Sequence, residues 1–283
     1  MRKSWLLNAV LLVVAAALGW FIYLKPRSDE PLTYPVSTLK AAAAGKIRIQ
    51  RSGQVPIVLE KKDGLWFITE PVAAPAEPFQ VQRLLAILDA RASRRFAASD
   101  LARFDLDRPA AQLTVDSQTF SFGTASAVSR EQYVLTGGAV YTVGPGYGAA
   151  LPADFTQLLR RQILGRGEVP RRFDFGEFAL ENKDGKWSVT PAGASGELSQ
   201  DDINRWVDDW RLASALRVAP YAGTRAIGEI KIEFKDGGKL SLGILQREPE
   251  LVLLRPDQKL QYAFFAETAK RLLAPPAGAA ASH

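Results

Sequence analysis

LEKKDGLWFIT, residues 59–69, returns as LENKDGKWSVT, residues 180–190, at a constant offset of 121 positions. Leu59, Glu60, Lys62, Asp63, Gly64, Trp66 and Thr69 recur as Leu180, Glu181, Lys183, Asp184, Gly185, Trp187 and Thr190. So many identities in eleven positions mark an internal duplication. In each copy an Asp-Gly pair separates two short runs, the strongest short-range signal of a β-hairpin.

Working outward in the first copy, Ile47 to Arg51 alternates apolar and polar residues as a strand does. Beyond the hairpin, Pro71, Pro75 and Pro78 break extended structure. Val81, Leu84, Leu85 and Leu88 then fall at i, i+3, i+4 and i+7, which predicts an amphipathic helix. Residues 99–104 predict a short helical turn stopped ahead of Pro109. Strands are expected over 112–116, 119–122, 132–135 and 140–143, and a closing helix over 152–164 presents Phe155, Leu158, Leu159 and Ile163. The glycine-rich stretch 144–148 lacks the lysine and strand-to-helix context of a phosphate loop and reads as an ordinary loop.

The second copy repeats this order. Ser199 and Asp202 have the spacing of a capping box, and Ile203, Trp206, Val207 and Trp210 repeat the helical spacing of the first copy. Hairpins are expected over Asp236-Gly237 and Pro256-Asp257, with Gly243 matching Gly123, and residues 266–273 close the unit. The expected fold class is therefore α+β: an N-terminal transmembrane helix followed by two tandem antiparallel-sheet-plus-helix repeats. The expected divisions are an anchor at 1–25, a tether at 26–45, repeats at 46–165 and 170–274, and a disordered tail at 275–283.

The anchor rests on residues 5–24, which hold no charged side chain. Twenty residues rising about 1.5 Å each span a bilayer core of about 30 Å. Trp5, Trp20 and Tyr23 lie near its ends as interfacial aromatics do. A signal peptide cleaved after the alanines at 15–17 is the rival; the apolar run continuing through Leu18, Trp20, Phe21, Ile22 and Leu24 favours an uncleaved anchor. The short N-terminal tail then stays cytoplasmic, at the inner membrane, and the bulk of the chain is periplasmic.

Composition excludes several chemistries. There is no cysteine, and the one histidine is His283, so thiolate chemistry, Cys-based metal sites, His-ligated zinc and Ser-His-Asp triads have no carriers. No cofactor signature is present. The net charge is +6; the first thirty residues carry four Lys/Arg and two Asp/Glu, which leaves +4 for the remainder. That is no nucleic-acid signal.

Glu60 with Asp63, and Glu181 with Asp184, could be paired carboxylates of a glycosidase, but hairpin turns call for the same residues. Trp66, Trp187, Trp206 and Trp210 read as core anchors rather than sugar platforms. Asp201-Asp202 and Asp208-Asp209 could offer oxygens to calcium, although acids in a first helical turn complement the helix dipole. The arginine pairs Arg160-Arg161 and Arg171-Arg172 are the candidate partner-binding residues, and Arg94-Arg95 is a third basic pair.

Gly64-Leu-Trp-Phe-Ile-Thr-Glu-Pro71, an amphipathic helix, and Phe104-Asp-Leu-Asp-Arg-Pro109 ahead of a strand resemble the bacterial family catalogued as domain of unknown function 4340. The resemblance covers residues 46–164 well and the second copy more loosely. It implies one N-terminal transmembrane segment and an extracytoplasmic α+β part, encoded in some members beside ABC transporters of the gliding-motility type. It carries over no catalytic residue. The expected function is a non-catalytic binding or scaffold module of a membrane-associated envelope complex, with a protein partner such as a transporter. A carboxylate-based envelope hydrolase, and a lipid- or glycan-binding protein using a groove between the repeats, are the other readings.

Overall fold

The computed structural model describes residues 11–17, 20–21, 33–127, 129–191 and 199–276. Its first half contains strands β1 (Lys46–Arg51), β2 (Ile57–Lys62), β3 (Leu65–Glu70), β4 (Arg94–Ala97), β5 (Ala111–Val115), β6 (Gln118–Ala125), β7 (Gln132–Thr136) and β8 (Ala139–Val143). The second half contains β9 (Pro170–Asp174), β10 (Ala179–Lys183), β11 (Lys186–Thr190), β12 (Arg217–Pro220), β13 (Gly228–Phe234), β14 (Lys239–Gln246), β15 (Leu251–Arg255) and β16 (Leu260–Phe264). Helices are few: α1 (Pro78–Leu85), α2 (Gln200–Leu212), α3 (Ala266–Leu273), one turn at Gly146–Ala149 and short 3₁₀ segments.

The nine-stranded sheet runs from the two-residue strand Ala74–Pro75 through β3, β2, β1, β5, β6, β7 and β8 to β4. The eight-stranded sheet runs β11, β10, β9, β13, β14, β15, β16, β12. Each strand of the first half thus occupies the place of the strand eight numbers later in the second. Every pairing is antiparallel, and in both sheets the register shifts where the sixth strand of the half meets the seventh. A third sheet pairs Tyr34–Pro35 with Arg91–Ala92.

The α+β expectation is corrected by this architecture, which is mostly β-sheet. The largest departure is the closing helix expected over 152–164. Only Phe155–Leu158 turns there, as a 3₁₀ segment capped by the Asp154 side chain. The chain then runs extended, because its backbone is spent on sheet edges: Leu159 bridges Ala76, the Arg160 N–H donates to the Pro75 carbonyl, and Gln162 bridges Ser214. Phe155, Leu158, Leu159 and Ile163 still face the core, so the spacing reported burial correctly and conformation wrongly. The loop expected at 144–148 contains the single turn Gly146–Ala149.

The transmembrane helix of the expected fold lies largely outside the described residues. Residues 11–17 and 20–21 are helical. Among the described residues no helix is long and apolar enough to cross a membrane. The tether expected at 26–45 is corrected from residue 33 onward: Tyr34–Pro35 is a strand, Ala41–Ala43 a 3₁₀ turn, and Val36 and Ala44 are buried in the core. These apolar side chains have a hydrophobic surface to cover, which a free linker does not. Of the expected tail, residues 277–283 lie outside the described residues.

Local chemistry explains the elements that do form. Asp63 and Gly64 have φ of +50° and +78°, and Asp184 and Gly185 have +52° and +85°, the two positive φ angles of a type I′ turn. Val81, Leu84, Leu85 and Leu88 are all buried, as are Ile203, Trp206, Val207 and Trp210. Ser199 and Asp202 cap α2 reciprocally, side chain to backbone in both directions. The equivalence of Gly243 with Gly123 does not hold. Ser121 pairs with Gln112 and Phe122 with Ala111, as Gly243 pairs with Glu229 and Ile244 with Gly228, so Gly243 takes the place of Ser121.

One hydrophobic core runs through both halves, and the connecting residues Leu158, Leu159, Ile163 and Leu164 belong to it. In the second half Phe173 sits 5.0 Å from Trp206 and 5.6 Å from Trp210, centroid to centroid. The indole N–H groups of Trp206 and Trp210 donate to the Ala274 and Leu272 carbonyls, tying α2 to the end of α3. A small second cluster of Phe104, Leu106 and Val140, with Tyr133 and Leu135, lies on the far face of the first sheet.

Candidate functional site

The four arginines expected to bind a partner do not form one free basic patch. Arg171 and Arg172 are neighbours on β9 and alternate across it. Arg171 pairs with Glu233 at 3.2 Å, and Arg172 pairs with Asp174 at 3.2 Å and Glu181 at 3.5 Å. Arg161 is exposed, and its carbonyl accepts from the Ala215 N–H. Arg160 is half-buried between the halves, where its Nε has no hydrogen-bond partner. Burial holds its guanidinium below the ordinary arginine value.

The polar centre of the molecule lies beside Arg160 and involves a residue that the sequence did not single out. Arg255, at the end of β15, has a side chain only 6% exposed. Its guanidinium holds the Glu168 carboxylate in a two-pronged pair, with Nη1 2.9 Å from Oε2, and its Nε lies 3.2 Å from Asp257. Nη1 also donates to the Ile163 carbonyl, and Glu168 accepts the Gly165 N–H. Burial opposes charge on Arg255, but the two carboxylates outweigh it and raise its pKa. Burial likewise pushes Glu168 up, while Arg255 and the Gly165 N–H hold it below its usual range. Tyr262, buried nearby with its hydroxyl donating to Gln258, is pushed up to about 12 by burial. Strand alternation was the available signal, since Leu251, Leu253 and Arg255 share the inward face. Thr136 holds the equivalent buried position in the first sheet.

A cavity of about 440 Å³ opens above Arg255, between Lys239, Asp236 and Asp257. The charges at its base, Arg255, Glu168 and Asp257, are already engaged with one another. A second space of about 440 Å³ is a groove between the halves. It is walled by Phe67, Ile68, Thr69, Ala73, Ala74 and Pro75 of the first half, by the Lys62-Asp63 end of the first hairpin, and by Gln258 of the second half. Its lining is mostly apolar and holds a single carboxylate, Asp63.

The suggested carboxylate pairs are dispersed. Glu60 is bound by Lys46 at 3.0 Å, whose hydrogen bond and charge lower its pKa, while Asp63 stands in the turn. Glu181 pairs with Arg172 and Lys183, and Asp184 stands in the equivalent turn. Asp202 caps α2, Asp208 pairs with Arg211 and Asp209 with Arg271. Among the described residues no group of three or more acidic, His or Cys side chains could hold a metal ion. Trp187, Trp206 and Trp210 are buried; Trp66 is half-buried against the core.

Two antiparallel sheets of matching strand order, with a buried arginine of the second sheet holding the segment that connects them and an apolar groove between the halves, define a duplicated β-sheet protein. The chain belongs to the family described as Domain of unknown function (DUF4340), which matches residues 66–246 and so runs from the first hairpin into β14. No curated protein matches the chain, and no solved structure does.

Proposed function

We propose that the protein is a non-catalytic binding or scaffold module of a bacterial envelope complex, held at the cytoplasmic membrane through its uncharged stretch 5–24 with its bulk on the extracytoplasmic side. The observation that carries this reading is the groove between the halves. Its apolar floor of Phe67, Ile68, Ala74 and Pro75 suits the burial of a partner's side chains. Carboxylate hydrolysis calls for two acids about 5 to 10 Å apart, and the groove lining contains Asp63 alone. The lowered carboxyls of Glu168, Asp174 and Glu233 are each bound by an arginine or a backbone N–H, which accounts for their shifts without a reaction.

A photocrosslinking side chain at Ala73 or Thr69, in intact cells, tests this reading, with exposed Lys235 as the comparison position. Discrete protein adducts at the groove positions and none at Lys235 support it. Absence of protein adducts from both groove positions overturns it. The apolar lining also favours a second reading, a lipid occupant, for which the adducts would extract into organic solvent with lipid mass.

A further inference from the structure

We propose that β4, Arg94–Ala97, is a docking edge that takes up an extended acidic segment of a partner protein as one more strand of the nine-stranded sheet. The proposal shares with the binding-module reading only the premise of a protein partner. It uses the opposite end of the sheet from the groove, since Ala74–Pro75 and β3 lie at one end and β4 at the other.

Among the described residues β4 is paired on one side only, with β8, and all four of its residues are exposed; Arg91–Ala92, directly ahead of it, pair with Tyr34–Pro35. An unpaired edge presents a row of backbone donors and acceptors to any chain able to lie beside it. The other sheet ends carry proline, which cannot donate to a ladder: Pro75 in the terminal strand of the first sheet, Pro191 directly after β11, and Pro220 in β12. β4 contains none.

Its side chains supply both anchor and charge. Alternation places Arg94 and Phe96 on one face, with Phe96 beside Val140, and Arg95 on the other, beside Tyr141. Phe96 remains 36% exposed. Its ring is 5.9 Å from Phe104 and 6.3 Å from Tyr133, in the small aromatic cluster outside the main core. Arg103 lies over Phe104 at 5.7 Å. Among the described residues Arg94, Arg95 and Arg103 form no ion pair. The nearby acids are placed elsewhere: Asp100 and Asp105 flank the 3₁₀ turn, and Glu131 accepts from Ser93 at 2.7 Å. The register defines what fits: an apolar residue opposite Phe96 and acids opposite Arg94 and Arg95, hence two consecutive acids followed or preceded by an apolar residue.

The test measures fluorescence anisotropy of a labelled octapeptide centred on Glu-Glu-Val with the full-length protein in detergent. Two further versions are methylated on alternate backbone nitrogens, one on the odd residues and one on the even. A strand added to β4 bonds through one set only, so one version loses binding and the other keeps it. A Lys-Lys-Val peptide, and the R94E/R95E protein with the acidic peptide, should each bind about tenfold or more weakly. F96A should also weaken binding, with thermal melts showing that both variants stay folded. Equal binding of both methylated peptides would reduce the contact to charge attraction and overturn the proposal, as would unchanged affinity in R94E/R95E or no measurable binding of the acidic peptide. Self-association in sedimentation that R94E/R95E abolishes would assign the edge to a second copy and likewise overturn it. The groove crosslinks are independent of β4, so each reading fails separately.

Discussion

Arg255 and Glu168 form a two-pronged ion pair that joins the end of β15 to the segment connecting the two sheets. The Arg255 side chain is 6% exposed and that of Glu168 26%, so the guanidinium is largely withdrawn from water. Ile163 and Asp257 take the remaining guanidinium hydrogens. The connection between the halves is thereby a fixed part of the core rather than a hinge.

Removing the carboxylate charge strands a buried guanidinium. Breaking a buried pair in this way costs about 3 kcal/mol, so E168Q should lower the denaturant midpoint at neutral pH with little change in slope. A midpoint equal to the wild type would mean that Asp257 and Ile163 suffice for Arg255.

Glu168 also sets a pH dependence. Its folded pKa lies below the ordinary value of 4.5, so its contribution is fully present above 4.5 and is lost as the pH falls through the folded value. Stability measured between about pH 5 and pH 3 should fall less steeply in E168Q than in the wild type. Parallel curves would remove Glu168 from the acid transition.

Gly64 and Gly185 hold positive φ with open space around them, so an added Cβ meets strain and no clash. G64A and G185A should each cost about 1 kcal/mol, and urea melts of the two should agree. A cost of several kcal/mol would point to contacts that the turns do not show.

Gly123 is a different case. A Cβ there would lie 2.1 Å from the Phe104 carbonyl oxygen and 2.9 Å from Leu106 Cγ. G123A should therefore lift the 101–106 segment off the sheet, open the Phe104–Leu106–Val140 cluster and speed hydrogen exchange in β6 and β7. Exchange unchanged from the wild type would contradict this contact.

The repeated tryptophans should not behave alike. Trp187 is 8% exposed against Phe173, with its backbone N–H donating to the Gln200 side chain, whereas Trp66 is half-buried. W210A, at a fully buried site, should cost about 4 kcal/mol and W187A about 3; W66A should cost about 1 to 2. Equal losses at 66 and 187 in thermal melts would restore their equivalence.

Much of the molecule was legible in its residues because the relevant rules are local. Asp-Gly pairs named their turns, and the 3.6-residue spacing named the buried faces of α1 and α2. Ser199 and Asp202 named a cap. The closing segment 152–164 shows the limit of such rules: apolar spacing records which side chains are buried, and an extended chain bridging two sheet edges can bury the same set. The surroundings of Arg160, Arg161, Arg171 and Arg172 were hidden for a related reason. Glu233 and Glu181, distant in sequence or on the neighbouring strand, neutralise half of these arginines.

The residues alone determined the duplication, through LEKKDGLWFIT and its echo, together with the hairpin turns and the helix faces, since each depends on φ preferences and periodicities within a few residues. Only the tertiary structure decided that the sheets dominate, that Arg255 is buried against Glu168, that the first hairpin walls a groove completed by Gln258, and that, among the described residues, β4 is paired on one side only. These features depend on pairing between residues tens of positions apart, where the free energy comes from contacts that no local pattern encodes.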